Sequence, residues 1–256
     1  MNSVFLHNMS DVLVIIPTYN ELENISLMIE KVFSFSKNFH ILIVDDNSPD
    51  GTADIVKSLQ EKYTDNLFLL ERKKKEGLGL AYISGFNWGL SKDYQYFIQM
   101  DCDFSHDPDD LLRLYNTCNK ENYDMAIGSR YISGINVVNW PMSRILLSYF
   151  ASKYVRFFTC MNIRDTTAGF NCYNRKVFQN INFHNIKFSG YGFQIEMKFR
   201  VWKMKFKIKE IPIIFRDRER GKSKISGGII WEGVFGVFGL LFRSLIFRKE
   251  FKRKIK

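Results

Sequence analysis

The segment VLVIIPTYNELENISLMIEKVF, residues 12–33, changes its hydrophobic period in the middle, and this change decides the fold class. Residues 12–16 form a short apolar run rich in β-branched side chains, which is typical of a buried strand. After Pro17 the apolar residues recur at the spacing of one helix face: Leu22, Ile25, Met28, Ile29, Val32 and Phe33. The segment therefore predicts a buried strand followed directly by an amphipathic helix.

The same change from strand to helix recurs along the next part of the chain. HILIVDD (40–46) is followed by the helical SPDGTADIVKSLQEKY (48–63). NLFLL (66–70) and QYFIQMD (95–101) repeat the strand pattern, with the helical GLAYISGFNWGL (79–90) between them. Because such alternation produces a sheet of mainly parallel strands, we expect the first ~130 residues to form an α/β unit. In these sheets, ligands bind beyond the carboxyl ends of the strands.

The second half of the chain is less regular. Its hydrophobic pattern predicts helices in WPMSRILLSYFASKYVRFF (140–158) and FQIEMKFRVWKM (193–204). FKIKEIPIIF (206–215) has a strand pattern, and RDRERGKSK (216–224) is a basic loop that contains glycine. This half therefore adds helices and one strand to the α/β unit.

Composition limits the class of partner. The 256 residues are 46% hydrophobic, which supports a globular core, and the formal net charge of +10 favours an anionic partner. That partner is a nucleic acid, a phosphorylated ligand or an anionic lipid, and a solvated basic surface is the alternative. The four cysteines contain no C-x-x-C pair, so we expect reduced thiols in a protein that faces the cytosol. The N-terminal segment has no basic region or cleavage site of a signal peptide.

Carboxylates crowd the segment IQMDCDFSHDPDD, residues 98–110. Asp101 and Asp103 follow a strand, two residues apart, so a continued pleat would point both to one face. Two converging carboxylates repel each other unless a cation or a proton lies between them. A hard divalent cation that bridges to a diphosphate fits this pattern. The alternative is a helix start, with Ser105 or Asp107 as the cap, and it accounts for the later carboxylates but not for Asp101.

A second carboxylate pair, Asp45 and Asp46, ends the strand ILIVDD. In a nucleotide site, carboxylates at this place accept hydrogen bonds from ribose hydroxyls or base N–H groups. The alternative is a solvated turn, since the following NSPDGT is rich in turn residues.

Taken in order, these motifs resemble a known family. VIIPTYNELENI, IVDDNSPDGT, GLGLAYISGF, MDCDFSHDP and GSRYISG occur at the spacings of the dolichol-phosphate mannose synthases. Those enzymes are inverting nucleotide-sugar glycosyltransferases with the Rossmann-like GT-A fold, a mainly parallel sheet flanked by helices. DTTAGFNCYNRKVF, GYGFQIEM and EIPIIFRDRERGKSK extend the resemblance through the second half. It implies a GT-A catalytic domain over residues 1–225.

The resemblance also implies the residues that hold the donor. Those expected to contact the nucleotide sugar are Pro17, Tyr19, Glu21, Asp45, Asp46, Gly79, Asp101, Cys102 and Asp103. Asp101 and Asp103 are expected to bind Mg²⁺ or Mn²⁺ and, together with Arg130, to be catalytic. Some relatives carry Gln where this chain has Ser105, and the shorter hydroxyl makes that residue a weaker candidate ligand. His106 is expected to be structural.

The acceptor in the family is a polyprenyl phosphate, which is largely anionic at neutral pH because its second pKa is near ~6. An anionic nucleophile needs cations to hold it in line rather than a general base. The residues expected to bind the acceptor phosphate are Arg130, Arg144, Ser148, Arg218 and Lys224. Arg144 and Ser148 are four residues apart on a predicted helix and share a face. We expect Asp165 to orient an arginine or anchor its loop, and its alternative role is a base toward a hydroxyl acceptor.

The function implied by the resemblance is transfer of mannose from GDP-mannose to dolichyl phosphate, with inversion. The product is a donor for protein N-glycosylation, O- and C-mannosylation and GPI anchor synthesis. The expected location is the cytosolic face of the endoplasmic reticulum membrane, with small membrane-embedded subunits as possible partners. The first rival is the same chemistry with UDP-glucose. A basic nucleic-acid-binding protein is the second rival, and it is disfavoured because the aromatic residues fall mostly in apolar runs.

Residues 226–256 are expected to form an interfacial membrane-associated helix with a basic tail. The apolar run between Glu232 and Arg243 is too short to span a bilayer. Glu232, Gly236, Gly239 and Arg243 form one narrow stripe on the predicted helix, and the rest of its circumference is apolar. This pattern predicts an amphipathic helix that lies in the membrane interface or against the catalytic domain, attaching the protein peripherally.

Overall fold

The computed structural model describes residues 10–35, 38–190, 192–217 and 228–254, with the backbone alone for 228–235. The strands in chain order are β1 Val12–Thr18, β2 His40–Asp45, β3 Leu67–Glu71, β4 Tyr96–Gln99, β5 Met125–Ser129, β6 Val137–Val138, β7 Asn171–Asn174, β8 Ile208–Pro212 and β9 Phe215–Arg216. Within the described residues, seven of them form one sheet in the order β3-β2-β1-β4-β7-β5-β8, and β6 pairs with β9.

Helices cover both faces of this sheet. They are α1 Ile25–Phe35, α2 Thr52–Lys62, α3 Leu78–Leu90, α4 Leu111–Asn119, α5 Met142–Thr159, α6 Arg175–Asn180, α7 Gly192–Lys203 and α8 Gly228–Ile246. Short 3₁₀ turns lie at Pro108–Asp110, Phe183–Asn185 and Arg248–Phe251. The alternation β1-α1-β2-α2-β3-α3-β4 confirms the predicted α/β unit.

Strand β1 shows why the decisive segment is apolar at nearly every position. Ile15 pairs in parallel register with Leu42 of β2 and Gln99 of β4, so β1 is a central strand. Its side chains alternate between two core layers, one that includes α3 and one that includes α1. Because helices cover both faces of the sheet, both sets of side chains are buried.

Strand β7 enters the sheet from the second half of the chain and lies antiparallel between β4 and β5. Its Cys172 pairs with Ile98 on one side and Ala126 on the other. The sheet is thus larger than the unit expected from the first part of the sequence, and it ends with β8, inside the predicted strand 206–215. Strand β7 has four residues and begins and ends with Asn, so it carries too little pattern to be identified from periodicity.

Helix α8 packs against α5 and α7, and part of its predicted stripe faces them. The ring of Phe188 lies against Gly236, where an added Cβ would be 2.1 Å from a ring carbon. Arg243 donates to Glu250 at 3.0 Å. Glu232, in contrast, lies where side chains are not described, and an added Cβ at Gly239 would meet nothing within 4 Å.

Buried charges tie α8 to α7. Glu196 has no exposed surface and accepts a hydrogen bond of 2.7 Å from Arg200, one turn further along α7. A guanidinium nitrogen of Arg243 lies 3.9 Å from the same carboxylate oxygen. Among the helices of the described residues, none is both long enough and apolar enough to cross a membrane.

Candidate active site

Predicted site residues meet at one edge of the sheet. Strands β1, β2, β4 and β5 run in the same direction, so their carboxyl ends share this edge. Thr18 ends β1 and is the register partner of Asp45, which ends β2. Asp101 comes two residues after β4, and Arg130 follows β5 directly. The structure therefore brings residues predicted for the donor and for the acceptor to the same side of the fold.

Asp45 holds the turns that follow β1 and β2. Its carboxylate accepts hydrogen bonds from the Thr18 hydroxyl at 2.8 Å and from the backbone N–H and hydroxyl of Ser48 at 2.8 and 2.6 Å. The Ser48 hydroxyl in turn accepts from the N–H of Asn20 at 3.0 Å. Asp45 is 1% exposed. The sequence predicted its place at the strand end. In the structure, its hydrogen bonds go to Thr18 and Ser48, so it is a buried group that positions the two turns.

Asp46 is paired with Arg72, a residue that the sequence analysis did not single out. The Arg72 guanidinium lies 2.5 Å from the carboxylate, and both side chains are mostly buried. Burial raises the pKa of Asp46, and the charge of Arg72 opposes that rise. Arg72 lies in the charged segment ERKKKEG, 26 residues from its partner, so no local spacing marks the pair.

The other residues predicted near the nucleotide lie at the end of β1 and in the segment after it. Pro17 is half-buried within β1. The amine of Lys75 lies 4.1 Å from the centre of the Tyr19 ring, which brings a cation to the same edge. Glu21 accepts from the side chain of Asn24 at 3.0 Å.

Two of the predicted nucleotide contacts serve packing in this structure. Cys102 is a buried thiol between the two carboxylates of the D-x-D motif. Gly79 donates its N–H to the Ser189 carbonyl at 2.7 Å, and an added Cβ would lie 2.8 Å from the Phe193 ring. This close approach requires glycine whether or not a nucleotide contacts it.

Asp101 is held by two neighbours at the mouth of the site. The Tyr82 hydroxyl donates to its carboxylate at 3.2 Å, and its own N–H donates to Nδ1 of His106 at 3.1 Å. Burial and the Asp101 carboxylate raise the pKa of Tyr82, which keeps the phenol a donor. Burial lowers the pKa of His106, so the ring stays neutral and accepts through Nδ1. His106 therefore has the structural role expected of it.

Asp103 and Ser105 form the turn after Asp101. The Ser105 N–H donates to Asp103 at 3.1 Å, and Phe104 between them has a φ of 60°. The Ser105 hydroxyl is buried and makes no hydrogen bond within the described residues. Asp107 accepts from the Asp109 N–H at 3.0 Å and caps the turn that begins at Pro108, as the alternative interpretation of that residue predicted.

This turn fits a divalent cation that is shared with a substrate. Asp101 and Asp103 supply carboxylate oxygens, the ligands that Mg²⁺ and Mn²⁺ prefer. Gly169 lies beside them, since an added Cβ would be 3.3 Å from a ring carbon of His106 and 3.8 Å from a carboxylate oxygen of Asp101. Within the described residues, no group of three or more His, Cys, Asp or Glu side chains converges on one point. The donor set thus suits an ion completed by phosphate oxygens and water rather than one enclosed by protein.

Arg130 and Asp165 form a buried pair beside this turn. Asp165 accepts from Nε, the terminal nitrogen and the backbone N–H of Arg130 at 2.8, 2.7 and 2.9 Å. Burial alone would raise the pKa of Asp165, but the Arg130 charge and hydrogen bonds hold it below its usual value. Asp165 is therefore an ionised carboxylate committed to an arginine, which confirms the orienting role expected from the sequence.

The remaining residues predicted for the acceptor lie on and after α5. Arg144 forms an ion pair with Asp217 at 2.8 Å, and its guanidinium lies 4.2 Å from the centre of the Trp140 ring. Ser148 is one turn further along α5 and is half-buried. Arg218 and Lys224 lie outside the described residues.

The fold and this edge of carboxylates and arginines define a class of protein: a glycosyltransferase with the GT-A fold. Residues 13–181 match the family described as Glycosyl transferase family 2, and the chain belongs to this family. The chain is 44% identical over 225 residues to a polyprenol monophosphomannose synthase of Mycolicibacterium smegmatis, covering 88% of this chain and 84% of the relative. It is 42% identical over 226 residues to an undecaprenyl-phosphate mannosyltransferase of Micrococcus luteus, covering 88% and 92%.

Solved structures agree on the fold. One is a glucosyl-3-phosphoglycerate synthase of Mycobacterium tuberculosis in complex with Mn²⁺, UDP and glucosyl-3-phosphoglycerate. It has a TM-score of 0.65 at 12% identity, covering 90% of this chain and 78% of that one. A mannosyltransferase of Pyrobaculum calidifontis in complex with GDP-Man and Mn²⁺ has a TM-score of 0.55 at 14% identity, covering 93% and 76%. At these identities the likeness concerns the fold.

Proposed function

We propose that the protein transfers mannose from GDP-mannose to a polyprenyl phosphate, with dolichyl phosphate as the acceptor, and inverts the configuration at the sugar C1. The observation that carries this proposal is the Arg130–Asp165 pair. Asp165 was the sequence candidate for a base toward a hydroxyl acceptor, and Arg130 occupies both of its oxygens. An acceptor that is already an anion needs no such base. The names of the two bacterial relatives, both transferases of mannose to a polyprenyl phosphate, support the same acceptor class.

On the donor side, Asp101 and Asp103 would hold Mg²⁺ or Mn²⁺ against the diphosphate. The metal supplies a Lewis acid that takes up charge on the departing nucleoside diphosphate. Tyr82 fixes the orientation of Asp101 through its hydroxyl, and His106 fixes the backbone of the same residue. The buried hydroxyl of Ser105 is a further oxygen on this turn.

On the acceptor side, arginines would hold the phosphate in line behind the sugar. Arg130 is oriented by Asp165 and Arg144 by Asp217, so both guanidinium groups are positioned before any ligand binds. Ser148 offers a hydroxyl one turn from Arg144, and Arg218 and Lys224 are the further candidates in the basic segment. An acceptor phosphate would compete with Asp217 for Arg144.

A polyprenyl acceptor requires contact with a membrane, and α5 and α8 supply an apolar surface for it. The large apolar side chains that α5 exposes are Met142, Leu146, Leu147, Phe150 and Phe157. Those exposed on α8 and directly after it are Phe238, Phe242, Leu245, Ile246 and Phe247. The rings of Phe158 and Phe238 lie 4.8 Å apart, so the two helices are neighbours. These ten exposed side chains are termed the apolar face below.

Cations occur on α5 and in the segment after α8, the two helices that carry the apolar face. Lys153 and Arg156 line an open cavity of about 560 Å³ at the end of α5, together with the exposed Phe157. Beyond α8 the chain continues with Lys252, Arg253 and Lys254. Apolar side chains beside cations suit an interface of anionic lipid. We therefore propose peripheral attachment to the cytosolic face of the endoplasmic reticulum membrane, with α8 and the basic tail as one part of the attachment and small membrane-embedded subunits as possible partners.

The test is a lipid-labelling assay with purified protein and Mg²⁺ or Mn²⁺. GDP-mannose, UDP-glucose and UDP-GlcNAc are offered in parallel, each with dolichyl phosphate and with undecaprenyl phosphate. We expect a labelled lipid from GDP-mannose. If only UDP-glucose gives a labelled lipid, the rival donor replaces the proposed one. If no labelled lipid forms with either polyprenyl phosphate, the proposed acceptor class is wrong.

A further inference from the structure

The loop of residues 165–169, termed the site loop, links the two halves of the candidate site. At its start, Asp165 binds Arg130 through two guanidinium nitrogens. At its end, Gly169 faces Asp101 and His106, where an added Cβ would lie 3.3 Å from a ring carbon of His106, closer than an ordinary van der Waals contact. The backbone position of the site loop therefore affects both the acceptor arginine and the wall beside the metal carboxylate.

Two groups outside the catalytic machinery anchor the site loop, the half-buried Glu210 and the buried Lys198. Glu210 of β8 accepts the N–H groups of Arg164 and Asp165 at 2.6 and 2.9 Å, which fixes the entry to the loop. Lys198 of α7 donates its amine to the Ala168 carbonyl at 2.5 Å, which fixes the exit. Lys198 has no exposed surface, so this contact takes place away from water.

A fully buried lysine is costly unless its charge has partners. The charged groups that face Lys198 are Arg130 from the end of β5, Asp165 from the site loop and Glu210 from β8. With Lys198 protonated these four groups carry two positive and two negative charges. With Lys198 neutral they carry one net negative charge, which opposes the approach of an anionic acceptor to Arg130.

We propose that Lys198 is a positioning residue for transfer: its ammonium group holds the exit of the site loop and balances Asp165 and Glu210, and thereby keeps Arg130 oriented and available to an anionic acceptor. This inference rests on the proposed function for the nature of the acceptor. It does not require Lys198 to touch a substrate.

Protonation of Lys198 gives the proposal a measurable signature. Burial lowers the pKa of Lys198 to about 7, an effect that Asp165 and Glu210 oppose. The amine therefore loses its proton near neutral pH, more than three units below the ordinary lysine value of about 10.4. Transfer should decline as the pH rises through this range.

The experiment compares three variants of the full chain. Lys198→Met removes the amine at similar length, Lys198→Arg keeps a permanent charge, and Lys203→Met changes an exposed lysine of the same helix as the control. For each, kcat and the KM of donor and acceptor are measured from about pH 6 to about pH 9. We expect Lys198→Met to lower kcat about tenfold or more with little change in the donor KM, and to lose the alkaline decline.

Lys198→Arg should restore part of kcat and move the alkaline decline to higher pH, and Lys203→Met should match the unmodified protein. Wild-type kcat with an unchanged pH profile in Lys198→Met overturns the proposal. If circular dichroism shows that Lys198→Met does not fold, the Lys198→Arg profile decides: an alkaline decline that stays in place overturns the proposal.

A second readout does not depend on activity. The Nε resonance of Arg130, assigned with Arg130→Lys, is followed during a pH titration of the protein labelled at arginine and lysine. We expect the Arg130 resonance to shift with the same titration midpoint as the Lys198 amine. An Arg130 resonance that does not change at that midpoint overturns the proposal. If no donor and acceptor pair gives a product, the proposed function fails, while this titration still reports whether Lys198 and Arg130 are coupled.

Discussion

Exposure separates two kinds of aspartate in the candidate site. The side chain of Asp101 is 36% exposed, whereas Asp45 is 1% exposed and surrounded by donors from its own protein. Asp101 can therefore share its oxygens with a metal or a substrate, while Asp45 holds the turns from which neighbouring residues extend. Substitution of Asp101 should change catalysis, and substitution of Asp45 should first change the local structure.

We predict that Asp101→Asn and Asp103→Asn each abolish transfer and leave the fold intact. Loss of one metal-bridging carboxylate removes several kcal/mol of transition-state stabilisation. The measurement is initial rate with saturating metal, together with circular dichroism. The control is Asp107→Asn in the same turn, since Asp107 caps a 3₁₀ turn and should leave most activity. Activity that survives either substitution, or full activity in EDTA, contradicts the metal site.

Arg144 gives a second prediction at this scale. A guanidinium that pairs with Asp217 and stacks on Trp140 can hold a phosphate with two parallel hydrogen bonds, which an ammonium cannot do. Arg144→Lys should therefore reduce kcat/KM for the acceptor about tenfold or more. Arg220 of the basic loop 216–224 is not among the residues expected to bind the acceptor phosphate, so Arg220→Lys should have a much smaller effect. If both substitutions have equally small effects on kcat/KM, Arg144 is an ordinary surface cation and does not bind the acceptor phosphate.

Side chains that follow a strand directly could be placed from sequence, because the ends of parallel strands share one edge of the sheet. Asp45 and Asp101 were placed at the edge in this way, whereas Arg130 was identified through the family resemblance. Arg72 and Tyr82 were not identified, although each contacts a predicted aspartate. Their contacts join residues 26 and 19 positions apart, and local spacing carries no information on such pairs.

At the scale of elements, α5 and α8 share an unusual burial pattern for surface helices. Ser152, Val155 and Thr159 of α5 face the interior, while five large apolar side chains of the same helix are exposed. Arg144 and Ser148 lie on α5 as well, so the helix proposed to touch the membrane is also the helix proposed to hold the acceptor phosphate. A phosphate at the lipid surface would meet these residues without leaving the headgroup region.

The apolar face predicts how the protein binds vesicles. Replacing Phe150, Phe157 and Phe242 together with Ser should reduce flotation with anionic vesicles at least about tenfold, since burial of one Phe contributes about 1.5–3 kcal/mol. The matched control is Leu27→Ser on α1, which changes an apolar side chain that is 44% exposed on a different helix. Equal flotation of the two variants at low and high salt would contradict the proposed membrane contact.

The spacing of apolar residues along the sequence identified the longer helices and strands, and the predicted ends differ slightly from those in the structure. The helices predicted at 140–158 and 193–204 are Met142–Thr159 and Gly192–Lys203 in the structure. Strand β7 and helix α6, with four and six residues, are too short for a period to be recognised. Their formation depends on tertiary partners: β7 is held by two neighbouring strands rather than by its own sequence pattern.

At the scale of the whole molecule, the core contains more charge than the sequence pattern suggests. Asp165, Glu196, Lys198 and Arg200 have no exposed surface. Each has an oppositely charged neighbour, as buried ions generally require. Residues proposed to serve function can nonetheless cost stability, and Lys198 is the clearest case.

We predict that Lys198 makes the free energy of unfolding depend on pH. Its pKa is about 7 in the folded protein and about 10.4 in an unfolded chain, so between these values the unfolded state binds more protons. The buried ammonium group therefore destabilises the folded protein fully below pH 7, where both states are protonated. As the pH rises from 7 toward the unfolded-state pKa, this destabilisation disappears, and the free energy of unfolding increases by at most about 1.4 kcal/mol per pH unit. Urea unfolding of the wild-type protein and of Lys198→Met at several pH values measures this. The stability of the wild-type protein relative to the variant should rise with pH, and a constant difference contradicts the buried charge.

The position of β7 also has a consequence for how the molecule folds. Strands β4 and β5 end by residue 129, but in the part of the chain that the structure describes they are joined through β7, residues 171–174. A growing chain therefore holds an open sheet edge at β4 until this later segment has been synthesised, and pairing over such sequence distances is slow. Gly169 and Asp165 immediately precede the closing strand. We therefore expect the sheet and the carboxylate and arginine site to be completed together, and a chain arrested earlier should expose an unpaired strand rather than retain partial activity.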